Sequence, residues 1–296
     1  LSINKLNNKI SEVNYSIDLN DFFLEMTQEQ LQKSILGLSN SFSDKTNKKI
    51  RNSLNGLGPV GYTREYAFSV IREIINERAK GTIGKIFSNL SDKTTSELYG
   101  NVILLSFAGH DTTGHTITWL VYELARNPHI LRKLRKEIAD FIVRHGKDDF
   151  EYKHLAELKY LTKCIHETLR LWPAVANGTF RELEKDDTIV GKNGKKIMLP
   201  KGSLIQILNW SRHRDASLWG SNPQKFNPDR EWLKDEIWND KGFAGYNPSS
   251  NRFSPFTYGP RDCLGKNFAQ MEMRLILIYF ITDFDFVLDN GIGKIS

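Results

Sequence analysis

The chain has 296 residues, a formal net charge of +6, 40% hydrophobic and 26% charged residues, an ordinary globular balance with enough apolar material for a core. Its two cysteines, Cys164 and Cys263, exclude a disulfide framework beyond one bridge and any metal site built from several thiolates. The basic residues are scattered rather than gathered on one element, which argues against a nucleic-acid partner.

No stretch reads as a membrane span. The most apolar run, residues 102–108, is too short to cross a bilayer and is followed by His110 and Asp111. Leu1 stands where an initiator methionine would, so the numbering is expected to begin inside a longer protein. Residues 1–60 are polar and rich in Asn, Ser and Lys, with one helix expected from about Thr27 and a loop over 39–61. Residues 62–80 have helical spacing at Phe68, Ile71, Ile74 and Ile75 and stop at Gly81.

Thr94-Thr95-Ser96-Glu97 is a capping box. A proline-free helical pattern runs from there to Asn127-Pro128, which predicts one long helix over about 94–127. Its middle carries His110, Asp111, Thr112, Thr113 and His115. Helices are expected at 128–144 and 158–171, the second closing before Pro173. Thr188-Ile189-Val190 and Ile197-Met198-Leu199 flank Gly191-Lys192-Asn193-Gly194, a hairpin signal within a β region over 186–210 that ends in a strand at 203–208. Residues 220–262 read as long, aromatic-rich coil, a length that usually means function or a bound cofactor. A last helix is expected over 266–282. The fold class is mainly α with a small antiparallel β subdomain, in a single domain over residues 1–296.

Cys263 lies in the run Pro255-Phe256-Thr257-Tyr258-Gly259-Pro260-Arg261-Asp262-Cys263-Leu264-Gly265, within a loop over 253–265. Gly259 and Gly265 allow tight turns and close backbone approach to a flat ligand. The free N–H groups at the start of the last helix favour negative sulfur. Arg261 adds a cation two residues away. Together these predict a thiolate, the form that binds metal. A lone cysteine is more often a buried structural residue, but the full Phe-x-x-Gly-x-Arg-x-Cys-x-Gly pattern is far more specific. One thiolate cannot hold a bare ion firmly, yet it can be the axial ligand of a haem, whose porphyrin supplies the other four ligands.

This loop resembles the haem-binding signature of the cytochrome P450 superfamily, and further motifs appear in that family's order. Ala108-Gly109-His110-Asp111-Thr112-Thr113 resembles its oxygen-activation motif. The resemblance implies that Gly109 leaves room for dioxygen, that Thr112, sharing a helix face with Ala108, bonds the bound oxygen, and that Asp111 relays protons. The alternative is a kinked helix with Thr112 bonded to its own turn. Glu167-Thr168-Leu169-Arg170 resembles the family's Glu-x-x-Arg pair, and Leu161, Ile165, Leu169 and Leu171 around it suggest burial. Asn227-Pro228-Asp229-Arg230 resembles the segment that adds a second arginine. Glu167, Arg170 and Arg230 would hold the haem loop in place and take no part in catalysis. Arg261 and, more weakly, Arg181 are the propionate candidates. Phe256, Gly259, Gly265, Ala108 and Gly109 would flank the haem. His110 and His115 read as core or solvent-facing, and His213-Arg214-Asp215 as structural.

Residues 104–112, 174–180 and the turn near Asn290-Gly291 would face a lipophilic substrate, as in the fatty-acid-hydroxylating branches. Some members there carry a Glu that esterifies the haem where Ala108 stands, so that link is absent. The resemblance implies the P450 fold and a monooxygenase that uses haem b (iron protoporphyrin IX), dioxygen and NAD(P)H-derived electrons from an NADPH-dependent reductase or other redox partner. It also implies more chain upstream, because no Trp-x-x-x-Arg helix is found here. In a full-length eukaryotic protein an N-terminal anchor would hold the enzyme at the cytoplasmic face of the endoplasmic reticulum membrane. Two alternatives stay open: a haem-thiolate isomerase or dehydratase acting on peroxides, and a truncated, non-catalytic haem-binding protein.

Overall fold

The computed structural model describes residues 17–38, 40–54, 69, 72, 95–191, 193–237, 248, 250–257 and 259–289. Thr94 of the capping box, the turn near Asn290-Gly291 and, apart from Ser69 and Arg72, the helix expected over 62–80 lie outside them. The chain divides into two compact units, Leu1–Ala139 with Phe268–Ser296, and Asp140–Asn267.

The first unit contains α1 (Leu19–Gln30), α2 (Asp44–Leu54), α3 (Thr95–Arg126), most of α4 (Pro128–His145) and most of α8 (Lys266–Asp283). Asp18 caps α1 by accepting from the Asn20 and Asp21 amides. The helix therefore begins well before Thr27, where the sequence alone placed its start. Thr27 is interior: its hydroxyl shares contacts with the Phe23 and Leu24 carbonyls and reaches the His110 carbonyl of α3 at 3.0 Å. A π-helical turn, Leu31–Ile35, continues α1.

Helix α2 also departs from expectation, since it occupies part of the loop expected over 39–61. Its polar sequence hides the helix because its anchors are polar too. Asn47 accepts from Gln32 at 2.9 Å, and Arg51 donates to Gln28 at 2.8 Å, both in buried positions. Tertiary contacts of this kind stabilise a helix that local propensity leaves marginal.

Helix α3 has 32 residues, about 48 Å at 1.5 Å per residue, as the sequence predicts. Ile117, Leu120, Val121 and Leu124 are buried along it, with Phe22, Phe23 and Leu24 of α1. Phe23 also meets Phe280 of α8 edge to face, centroids 5.1 Å apart.

The second unit is organised around α5 (Lys159–Leu171), buried almost throughout, Cys164 included. Strands β1 (Thr179–Glu182) and β4 (Leu204–Ile207) pair antiparallel, with Arg181 opposite Ile205. The expected hairpin is present as β2 (Asp187–Val190) against β3 (Lys196–Leu199). Gly178 is obligatory: φ is +68°, and a Cβ there would collide with the Ile207 carbonyl oxygen. Short helices α6 (Asn209–Arg212) and α7 (Ala216–Trp219) lead into coil. Among the described residues that coil is held by side chains rather than by a ladder of backbone bonds.

Candidate active site

In the first unit, α3 presents the Ala108–Thr113 motif. Leu104 is 62% exposed, Phe107 37%, and Ala108 beside them is exposed. Thr112 donates its hydroxyl to the Ala108 carbonyl at 3.0 Å, the self-bonded geometry that the sequence left as an alternative. Asp111 pairs with His115 in the next turn: His115 Nδ1 lies 3.5 Å from the carboxylate and 2.8 Å from the Asp111 carbonyl. Burial works to raise Asp111, but the His115 contact prevails and holds its carboxyl below the usual range. Asp111 in turn holds His115 above the ordinary histidine value. His110 is wholly buried, with Nδ1 2.5 Å from the Ser106 carbonyl, so Nδ1 carries the proton. Burial lowers its pKa and keeps the ring neutral. It is a core histidine, as expected.

The space left by Gly109 is not open, contrary to expectation. A Cβ there would stand 2.5 Å from Leu31 Cδ1, so the glycine lets the π-helical turn approach α3.

In the second unit, the cysteine loop precedes α8. Thr257 (φ +57°) and Gly259 (φ +76°) take left-handed backbone, and a one-turn helix, Gly259–Arg261, follows. Thr257 donates its hydroxyl to the Arg261 carbonyl at 3.1 Å, and the Cys263 amide donates to the Phe256 carbonyl at 2.9 Å. Cys263 is exposed and free, while Cys164 is buried. The Gly265 and Lys266 amides hydrogen-bond to the sulfur. A Cβ on Gly265 would lie 4.0 Å from Sγ, beside the sulfur's open face. An exposed sulfur, flanked by glycine and backed by two amides, fits the axial position of a haem.

The loop's own groups do not favour the thiolate that its sequence predicts. Partial desolvation raises the Cys263 pKa above the ordinary thiol value, outweighing the two amides and the Lys266 ammonium, and Asp262 adds to the rise. Arg261 is exposed and does not contribute to that balance. The loop by itself holds a thiol, and a metal would have to displace its proton. Arg181 is also exposed and donates to the Phe180 carbonyl at 2.8 Å.

The predicted buried ion cluster is present. Glu167 and Arg170 have fully buried side chains and form a bidentate pair at 2.7 and 2.8 Å. Arg230 donates to the same carboxylate at 3.0 and 3.1 Å, as does the Asn227 amide at 2.9 Å. Arg170 also donates to the carbonyls of His213 at 2.6 Å and Pro223 at 2.7 Å. Glu167 thus gathers the coil over 213–230 onto α5.

A second buried carboxylate, Glu236, escaped sequence reasoning, with its partner Arg252. They meet at 2.7 Å, sixteen residues apart in coil, where no periodicity signals them. Burial works to raise Glu236, but hydrogen bonds from Arg252, Ser250 and the Leu233 amide hold it below the usual carboxylate range.

The sequence pattern of the cytochrome P450 family matches residues 2–294. The chain belongs to the cytochrome P450 family. A cytochrome P450 of Caenorhabditis elegans, CYP13A2, is 34% identical over 209 residues, covering 69% of this chain and 37% of the relative. Cytochrome P450 3A40 of Oryzias latipes is 35% identical over 208 residues, covering 67% of this chain and 36% of the relative. A bifunctional cytochrome P450/NADPH–P450 reductase of Acremonium egyptiacum is 31% identical over 227 residues, covering 76% of this chain and 20% of the relative. The chain spans about a third of the length of the first two. P450 proteins carry haem and use dioxygen with reductase-derived electrons. Identities of 34–36% to P450s of the 3A and 4B1 types do not single out the fatty-acid-hydroxylating branch.

Proposed function

We propose that this chain supplies the cysteine-ligand portion of a haem-thiolate monooxygenase. The observation that carries the reading is Cys263: an exposed sulfur at the start of α8, backed by the Gly265 and Lys266 amides. In this reading Cys263 would hold the haem iron through its sulfur, and Phe256, Gly259 and Gly265 shape the loop around it. Ala108, exposed on α3, belongs by resemblance to the oxygen-activation motif. Arg261 and Arg181, both exposed and charged, are the partners of the haem propionates. The haem, when bound, supplies dioxygen activation, to which thiolate ligation lends electron density.

The chain's own residues handle protons. His115, its pKa raised by Asp111, holds one beside the Asp111 carboxylate, and Thr112 passes it on once its hydroxyl turns away from the Ala108 carbonyl. Glu167, Arg170 and Arg230 position the coil and touch no substrate. The intact Asp111–Thr112 pair favours monooxygenation over peroxide rearrangement. Exposed Leu104 and Phe107, and separately Val175 and Phe180, support a lipophilic substrate. The Acremonium relative, whose name joins a P450 to an NADPH–P450 reductase, supports an NADPH-dependent reductase as electron donor.

We also infer that the two units belong to one domain, since a single family match runs through both. Residence at the endoplasmic reticulum membrane is part of the same proposal. Among the described residues no helix is long and apolar enough to cross a membrane. The reading is tested by supplying haem, reductase, NADPH and isotopically labelled dioxygen with a panel of fatty acids and other lipophiles. One labelled oxygen atom should enter the product. Label appearing only in water or peroxide contradicts the reading.

A further inference from the structure

Glu236 is wholly buried, and its carboxylate is saturated with donors. It accepts from the Leu233 amide at 2.9 Å, from Ser250 Oγ at 2.5 Å, and from Arg252 Nε and Nη2 at 2.7 Å each. Arg252 also donates to the carbonyls of Leu218 at 3.0 Å and Glu231 at 2.9 Å, and its guanidinium lies 4.2 Å from the Trp219 ring centroid. The residues engaged here differ from those held by Glu167. The two clusters meet at the Trp219 ring, which Arg170 and Arg230 approach at 5.0 and 5.8 Å, and at His213, whose carbonyl accepts from Arg170 and whose ring packs on Phe253.

Arg252 immediately precedes the segment that leads to Cys263. Ser250 Oγ donates to Glu236 and accepts from the Phe253 amide at 3.0 Å. Phe253 is fully buried among His166, His213, Trp219 and Trp232, with ring centroids 5.3 to 6.1 Å away. Ser254 Oγ accepts from Arg212 at 2.8 Å. The Phe256 carbonyl then receives the Cys263 amide. Beyond Ser254 the loop runs through left-handed backbone at Thr257 and Gly259, with no strand partner among the described residues. Its placement depends on how firmly its entrance is held.

We propose that Glu236 and Arg252 form a second latch, which positions the Cys263 loop independently of the Glu167 cluster. The inference rests on Cys263 being the metal ligand, and it names Glu236 and Arg252 as positioning residues. A bidentate, charge-assisted pair restricts orientation as well as distance. Closing the chain between residues 236 and 252 removes conformers that would let the loop entrance drift. The Glu167 cluster hydrogen-bonds the coil upstream of residue 231 and reaches the loop entrance through packing of His213 on Phe253, not through a hydrogen bond.

The test compares the wild-type full chain with Glu236→Gln and Arg252→Lys, read by amide hydrogen exchange in peptides over 253–263 and 159–171. Both variants should stay folded and keep wild-type exchange over 159–171. Exchange over 253–263 should accelerate about tenfold or more, the scale of one lost charge-assisted hydrogen bond. After haem loading, reduction and carbon monoxide treatment, both variants should give a smaller fraction of the thiolate-ligated band, with Arg252→Lys the milder. Wild-type exchange over 253–263 together with a wild-type band fraction overturns the latch. Equal acceleration in both peptides marks a general loss of stability and overturns it as well. If the wild-type chain itself forms no thiolate-ligated band, the ligand assignment fails, while the exchange comparison still decides whether the pair holds the loop.

Discussion

The hydroxyl of Thr112 is bonded to the carbonyl of Ala108, one turn back on the same helix, at 3.0 Å. A threonine so placed has a resting partner and must exchange it to serve a ligand. Replacing it removes a local bond and restores a better helix former, two small effects of opposite sign. Thr112→Ala should therefore shift unfolding free energy by no more than about 0.5 kcal/mol. In haem-loaded protein it should divert electrons from product to hydrogen peroxide. Chemical denaturation checks the first statement, and the peroxide-to-product ratio checks the second. An unchanged ratio removes Thr112 from proton delivery.

Glu167 compensates two arginines, Arg170 with a fully buried side chain and Arg230 nearly so. Removing the carboxylate strands both. Glu167→Ala should cost about 3–5 kcal/mol, the range for breaking a buried pair from one side. Arg230→Lys keeps the charge but loses the fork geometry, and should cost about 1–2 kcal/mol. Urea midpoints of the two variants test the ranking; a Glu167→Ala midpoint equal to wild type would refute it.

Two glycines of α3 make opposite predictions. A Cβ at Gly109 meets the flexible tip of Leu31, whereas one at Gly114 meets the Leu24 backbone at 3.0 Å. Alanine gains about 1 kcal/mol over glycine in a helix interior, and overpacking costs about 1–3 kcal/mol. Gly109→Ala should come out near neutral because Leu31 can turn away. Gly114→Ala should be destabilising because α1 cannot. Thermal melts of both variants decide it.

His213 is wholly buried beside Arg212 and Arg170, and burial followed by those two cations pushes its pKa down to about 3. The folded protein keeps it neutral, whereas the unfolded chain protonates it near the ordinary histidine value of 6.5. Its effect on stability is nil above that value. As pH falls from about 6.5 toward 3 the unfolded state gains protons that the folded state refuses, and stability drops. His213→Asn should flatten this part of the stability–pH curve, as denaturant midpoints measured across it will show. Glu236 acts lower: with its folded pKa depressed, its contribution is full above the ordinary glutamate range and fades as pH falls through its folded value.

The helices that were legible in the sequence were those whose apolar spacing is strong, α3, α4, α5 and α8, together with the β2–β3 hairpin and its glycine turn. Glu167 and Arg170 could be placed because charges spaced i,i+3 inside an otherwise apolar helix must neutralise one another to be buried, whereas Arg230 came only from the resemblance of Asn227-Pro228-Asp229-Arg230 to a family segment. α2 was hidden because two of its buried side chains, Asn47 and Arg51, look like surface residues until Gln32 and Gln28 are seen opposite them. Glu236 and Arg252 were hidden because coil has no period, so only the folded chain brings them together. The thiol at Cys263 misled for a different reason. Helix start and nearby cation both favour a thiolate, but the sequence carries no measure of the sulfur's desolvation, which prevails.

The central claim is that Cys263 ligates haem iron through its sulfur. The most direct measurement is the carbon monoxide difference spectrum of the reduced, haem-loaded full chain, wild type against Cys263→Ser. The wild type should give the strongly red-shifted band of a thiolate-ligated iron, and the serine variant should lose that band, whether or not haem stays bound. A band that survives in Cys263→Ser, or that never forms in the wild type, contradicts the account.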